Sequence, residues 1–321
     1  MAGVRLGNPG QAPPDAVVAA KAADENFPVA LRLLPSAKRR HLMAVYVFAR
    51  TADDIGDRAP VAERGGLLAE LEADVRRLYA VLARGDDPPE PPAVLARGDD
   101  PPEPPAVLAG GDDPPEPPKL SAVRGLREAV SECRIPMRPF LDLIEANRQD
   151  QIVTRYQTAD DLLGYCRLSA NPVGRIVLYV FNKFSPERAE LSDSICSGLQ
   201  LAEHWQDVAE DYVDGRIYLP AADMAEHGCA EQDLAERRAS PRLRELMAFE
   251  VNRAKALLDA GAPLVGTLSG TARLAVAGYL AGGRAALAAI EAADYDVLAA
   301  TPRPGKARTL AELAGALLKG R

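Results

Sequence analysis

Two short stretches of this chain crowd carboxylates onto one side of a turn: RTADDIGDR at 50–58 and HWQDVAEDY at 204–212. On a helix, residues four apart point the same way, so Asp53 pairs with Asp57 and Asp207 with Asp211, with Asp54 and Glu210 beside them. Like charges so placed repel by about 0.2–0.5 kcal/mol when exposed, and by more beside an apolar run, where water is scarcer. Each pair follows such a run, HLMAVYVFA before the first and SICSGLQLA before the second. For the first pair alone, Arg50 and Arg58 relieve the repulsion equally well as a salt-bridged surface patch. Two pairs open another reading, in which the helices face each other across a bundle and divalent cations between them offset the charge. Magnesium takes one or two carboxylates and completes its octahedron with water and phosphate oxygens. The pattern therefore suits binding of a diphosphate and its departure as a leaving group.

The elements that must position these acids read as helices almost throughout. Apolar residues recur at three- and four-residue spacing over 37–57, 65–83, 120–133, 137–153, 159–182, 185–212, 231–236, 240–260, 263–292 and 308–319. Gly, Pro and Asn clusters such as NPG, RIPMRP and ATPRPGK break the pattern. Strand-like alternation is absent, and GRIYLP (215–220) is the one candidate for a short extended piece. The spacing predicts an all-α bundle.

A 13-residue repeat, AVLARGDDPPEPP, occupies 80–92 and 93–105, and a third copy, AVLAGGDDPPEPP, follows at 106–118. Its prolines forbid a continuous helix, so the segment at about 84–118 is expected to be an acidic, solvated loop within one domain that spans 16–321. Residues 1–15 read as a flexible tail without the apolar centre of a signal peptide. Uninterrupted apolar stretches fall short of the roughly 20 residues that cross a bilayer. Net charge of −8 with scattered Lys and Arg argues against a nucleic-acid partner. Four separated cysteines suit a reducing cytoplasm, and three His residues without ligand spacing argue against zinc.

YVFARTADDIGD and QLAEHWQDVAEDYVDGRIYLP together resemble the two aspartate-rich motifs of the squalene and phytoene synthase family, the head-to-head prenyl synthases. YCRLSANPVGR (165–175) resembles the family's central helix, where small residues interrupt the regular turn, and the match runs from about Glu25 to Lys306. The resemblance implies an isoprenoid-synthase-type helical bundle around a central apolar cavity. ENFPVA (25–30), FARTADDIGD, SANPVGR and WQDVAED are most similar to the bacterial hydroxysqualene synthase branch. That branch converts presqualene diphosphate and water to hydroxysqualene and diphosphate in squalene and hopanoid biosynthesis. Synthases that condense two prenyl diphosphates to presqualene diphosphate or phytoene are the alternative, and a noncatalytic helical scaffold with acidic patches is the rival outside enzymology.

Carried over by motif, Asp53, Asp57, Asp207 and Asp211 hold two or three Mg2+ ions, and Asp54 and Glu210 tune or complete that shell. Arg50 grips diphosphate, and Tyr46, Tyr165 and Tyr218 bond phosphate oxygens or turn ring faces to a cation. Gln200 and Asn171 line the pocket, and Arg216 pairs with the departing diphosphate. Glu203 stands where many members carry Asn, and as a carboxylate it is placed to orient the quenching water. His204 reads as a packed or metal-shell neighbour, Trp205 as packing, and Arg303 and Lys306 as minor candidates for diphosphate contact. The resemblance further implies a hydrophobic C30 prenyl diphosphate substrate, no nicotinamide cofactor, presqualene diphosphate synthase as functional partner, and a cytoplasmic location. Peripheral contact with the inner face of the plasma membrane would use TLAELAGALLKGR, which also reads as an ordinary capping helix.

Overall fold

The computed structural model describes residues 34–84 and 115–319. The N-terminal tail, ENFPVA and most of the proline-rich repeat lie outside the described residues.

Helix α1 (Ser36–Arg58) starts behind Pro35 and buries His41, Leu42, Val45, Phe48, Ala52 and Gly56, a single face at helical spacing. Helix α2 (Val61–Ala83) turns back with Leu68, Leu71, Val75 and Leu78 inward. It also buries Asp74, whose two oxygens accept the backbone N–H groups of Lys119 (2.8 Å) and Leu120 (2.7 Å). The chain is thereby caught as it returns from the repeat. Short helices α3 (Ser121–Gly125) and α4 (Arg127–Cys133) follow, then α5 (Arg138–Gln149), whose Phe140 meets Phe48 edge-on at 5.2 Å.

Helices α6 (Ala159–Ser169), α7 (Asn171–Val180) and α8 (Pro186–Gln206) form the centre, and α8 touches α6, α7 and four of the helices that follow it. Next come α9 (Val208–Val213), α10 (Ala221–Glu226), a 3-10 turn (Glu231–Ala235), α11 (Pro241–Gly261), α12 (Leu264–Thr267), α13 (Gly270–Ala292) and α14 (Lys306–Lys319). Trp205 of α8 is fully buried, as its sequence context predicts, and its indole N–H donates to the Glu250 carbonyl of α11 at 3.2 Å. Helix α13 is the one described helix long and apolar enough to cross a membrane, and 67% of that stretch is buried inside the bundle. Helix α14 packs on α12 and α13, with Ala316 buried and the Leu317 carbonyl accepting from Arg273 at 2.7 Å. This is the capping role.

The helical architecture is as expected, but several boundaries differ: 120–133 divides at Leu126, 231–236 is a 3-10 turn, α10 is additional, and four further breaks bear on the site. Residues 150–153 leave the helix, and Thr158 and Asp161 open α6 with a reciprocal capping box. The segment 159–182 divides at Ala170, because Pro172 has no N–H to continue the ladder. The segment 185–212 divides at Asp207 (φ −103°, ψ 14°). Extended Leu268 and Ser269, followed by Gly270 at φ 59°, separate α12 from α13. GRIYLP is extended as predicted: Ile217 forms a parallel bridge with Arg155, and its N–H donates to Thr154 O at 3.0 Å.

Candidate active site

Asp53 and Asp57 lie in the last turns of α1, while Asp207 stands at the α8–α9 joint and Asp211 within α9. Although the helix breaks at Asp207, Asp211 N–H still donates to Asp207 O at 2.8 Å, so the four-residue register survives. Asp207 occupies the N-cap of α9 without a side-chain capping bond, which leaves its carboxylate available. After α9 the chain reverses through Gly215 at φ 82°. Gly215 N–H donates to Tyr212 O at 3.0 Å and Arg216 N–H to Asp211 O at 2.8 Å, the two bonds of a Schellman turn. A left-handed residue is required there, and glycine adopts it without a Cβ clash. The turn sends Arg216 across to α1, where its guanidinium donates to Asp57 Oδ1 at 2.9 Å. The two acidic segments therefore meet at one mouth.

Gly56 explains how α5 comes close enough to take part. A Cβ at this position would collide with the Asn147 carboxamide. Without one, Asn147 Nδ2 reaches Asp53 Oδ1 at 3.2 Å, and Gln151 Nε2 reaches the Gly56 carbonyl at 3.2 Å. At the end of α5, Asp150 Oδ2 accepts from the Tyr165 hydroxyl at 2.9 Å. Its Oδ1 is buried without a hydrogen-bond partner.

Tyr165 belongs to an aromatic floor. Tyr156 and Tyr218 stack at 5.8 Å, Tyr165 lies 6.0 Å from Tyr218, and the His204 ring stacks on Tyr218 at 3.6 Å. His204 also bonds Gln200 at 3.2 Å. Burial, with Arg216 adding to it, depresses the His204 pKa to about 3, so the ring is neutral and acts as packing.

Electrostatically the mouth is over-supplied with acid. Burial, then the proximity of Asp207, pushes the Asp211 carboxyl up to about 7; Glu203 and Asp214 raise it further against the pull of Arg216. Burial raises Asp150 to about 6, with Asp57 and Asp53 contributing. Asp207 is raised by burial and Glu210, opposed by Arg303. Solvent reaches Asp53, yet its concave setting still strips enough water to raise its pKa against the Asn147 bond and the Arg50 charge. Five hard carboxylates on three helical segments, one with an orphaned buried oxygen, make a donor set that fits divalent cations of the magnesium type.

The other predicted residues divide between this mouth and its surroundings. Tyr165, Tyr218, Gln200 and Arg216 are in it, and Glu203 is exposed at the rim within electrostatic reach of Asp211. Asp54 is half-buried and paired through Oδ1 with Arg50 and Arg58 at 3.1 Å each. Glu210 accepts from Thr301 at 2.9 Å on the flank. Asn171 is buried one layer deeper, accepting from Ser197 at 3.0 Å. Tyr46 is half-buried two turns before Asp53 on α1, and its hydroxyl oxygen is enclosed. Arg303 is close enough to Asp207 to counter its charge, whereas Lys306 is exposed at the start of α14. Sequence reasoning missed Asp150, Asn147 and Tyr156; the one signal was the polar run NRQDQ closing an otherwise apolar helix.

Between α7, α8 and α13, an apolar cavity of about 80 Å³ is lined by Val173, Val177, Ile195, Leu199, Val276 and Tyr279, and none of the mouth's acids reaches its wall. Asn171 and Gln200, on α7 and α8, stand within a turn of it.

Comparison with known proteins defines the class. The sequence profile described as squalene/phytoene synthase matches residues 20–309. The "hydroxysqualene synthase" of Rhodopseudomonas palustris is 34% identical over 244 residues, covering 75% of this chain and 70% of that protein. The "15-cis-phytoene synthase" of Synechococcus elongatus is 28% identical over 285 residues, covering 85% and 82%. Among solved structures, the squalene synthase HpnC from Alicyclobacillus acidocaldarius superposes with a TM-score of 0.71 at 36% identity, covering 87% of this chain and 94% of that one. The fold is the all-helical one of squalene synthases. This chain belongs to the squalene/phytoene synthase family.

Proposed function

We propose that the protein converts presqualene diphosphate and water to hydroxysqualene and inorganic diphosphate, with magnesium. The observation that carries the reading is the Arg216–Asp57 contact, which brings two sequence-distant acidic segments together beside Asp150. Asp53, Asp57, Asp207 and Asp211 would hold the metal, with Asp150 completing the set and Asp54 and Glu210 steadying its flanks. Bound magnesium would neutralise diphosphate charge and make it a better leaving group.

The protein's own groups orient and shield. Arg216 and Arg50 supply planar forks to phosphate oxygens, and Tyr46 adds a hydroxyl. Tyr165 would turn its ring toward the carbocation left when the carbon–oxygen bond breaks with its electron pair on diphosphate, and Tyr218, stacked on His204, would support it or reach phosphate through its hydroxyl. Asn171 and Gln200 mark where the polar rim gives way to the apolar interior. Glu203 would hold the water that attacks the rearranged cation and would receive its surplus proton. An 80 Å³ cavity holds only a few methylenes, so a C30 chain requires the helices around it to part. Cytoplasmic location and peripheral membrane delivery of the substrate belong to the same proposal.

The condensation of two prenyl diphosphates is the second reading, favoured by the phytoene synthase relative. Incubation with Mg2+ and presqualene diphosphate or farnesyl diphosphate, followed by product mass, separates the two. A C30 alcohol from presqualene diphosphate, unchanged by NADPH, is the expected result; a larger prenyl diphosphate or hydrocarbon from farnesyl diphosphate alone would overturn it. A scaffold without ligands would show no rise in melting temperature with magnesium plus diphosphate, whereas selective binding to the folded state raises it.

A further inference from the structure

A second cluster of ligand atoms lies at the other end of α1. His41 is three turns before Asp53, roughly 18 Å away along the helix axis. Its ring is 3% exposed, and Nε2 points between two carboxylates of α4, 3.3 Å from Glu132 Oε2 and 3.7 Å from Glu128 Oε1. Nε2 nevertheless makes no aligned hydrogen bond, although it is buried. On the ring's other side, Nδ1 lies 3.3 Å from Cys133 Sγ, and that thiol reaches the Val180 carbonyl at 4.0 Å. The direction of that contact depends on the ring's tautomer: with the proton on Nδ1, the sulfur accepts from it and the thiol faces Val180 O, which also accepts from Lys38 Nζ. In that tautomer the Nε2 lone pair faces two negative oxygens. Such an arrangement is repulsive unless a positive charge sits between them.

The geometry points to a structural binding site for a zinc-type divalent ion formed by His41 Nε2, Glu128 and Glu132. The three ligand atoms lie within 4.8 Å of one another. Zinc with arms of about 2.0–2.1 Å sets tetrahedral ligands roughly 3.3–3.4 Å apart, close to the His41–Glu132 separation as it stands and a few tenths of an ångström from the His41–Glu128 one. A nitrogen ligand favours zinc over magnesium or calcium, which prefer oxygen. An acceptor fixing the opposite ring nitrogen, here Cys133, is the usual support of a metal-binding histidine. Arg40 competes by donating to Glu128 Oε1 at 3.0 Å, but both side chains are more than half exposed. An exposed pair of this kind contributes little and yields readily to an ion. Glu128 and Glu132, four apart on α4, repel each other without a cation. Occupancy would pin α4 to the first turns of α1 and, through Cys133, to the end of α7, remote from the aspartate mouth.

The test is zinc titration of the full chain held in excess Mg2+, followed by calorimetry. Tight binding with a stoichiometry near one, unchanged in Asp207→Asn and weakened at least tenfold in Glu132→Gln, is expected. Glu132 is 57% exposed, so its replacement leaves the core intact. Melting temperature should rise with zinc in the wild type and not in Glu132→Gln. No zinc binding under these conditions overturns the site. Equal binding by wild type and Glu132→Gln, or loss of binding in Asp207→Asn, would overturn it too.

Discussion

Asp150 carries more of the mouth than its place in the sequence suggests. One oxygen holds the Tyr165 hydroxyl, the other is buried and unpartnered, and its charge acts on Arg216 and Tyr218 together. Asp150→Asn keeps the shape and removes the charge. The expected outcome is a fall in kcat/KM of about 10–100-fold, the usual cost of losing a group that orients ligands, with the melting temperature unchanged or higher. Diphosphate release and a thermal melt measure the two. At this scale the sequence was partly legible. Asp53, Asp57, Asp207 and Asp211 declare themselves because charges at helical spacing follow apolar runs. Asp150 does not, because a lone acid in NRQDQ acquires meaning only when α5 is laid against α1.

Among the elements, the approach of α5 to α1 depends on Gly56. Its missing Cβ leaves room for Asn147, and beside it Arg64 on α2 bonds the Gln151 side chain at 2.9 Å and the Asp57 carbonyl at 2.9 Å. Gly56→Ala forces the helices apart or turns Asn147 away from Asp53. Overpacking of this kind costs about 1–3 kcal/mol, and calorimetry should also show weaker magnesium affinity. Val213→Ala, at an exposed position of α9, serves as the control with neither effect. Helix existence was readable from periodicity, whereas breaks within helices were not. Nothing local in HWQDVAED disfavours a continuous helix, and the turn at Asp207 reflects the packing of α8 on α11 and the reversal at Gly215. Short α10 was missed for the opposite reason, since six residues give too little periodicity to detect.

For the molecule as a whole, the contact of α10 with α11 adds a pH dependence. Glu250 is fully buried beside Asp223, and Arg253 donates to both at 2.7 Å, with His227 also facing Asp223 and Phe249 beneath the guanidinium. Burial pushes Glu250 up to about 8 despite Arg253, with the Asp223 contact adding to the rise, while its contacts with Arg253 and Glu250 hold Asp223 low. The two acids titrate as a pair that keeps one proton. A folded-state pKa raised above its unfolded value stabilises below the unfolded pKa, and that contribution is lost as pH rises through about 8. Melting temperature should therefore fall as pH rises from about 5 to about 8 and level off above. Glu250→Gln, which keeps the hydrogen-bonding shape, should flatten that slope; an unchanged slope would show that the pair does not hold the proton.

The arm that crosses the mouth alters what ion binding means. Asp57 already has a guanidinium for company, so a divalent ion arrives by substitution rather than by filling a vacant ring of acids. Its hold is then the difference between two attractions, and added salt, which screens both, moves that difference less than either alone. A displaced Arg216 offers its N–H fork to an anion. Cation and phosphate should accordingly arrive together, each making room for the other.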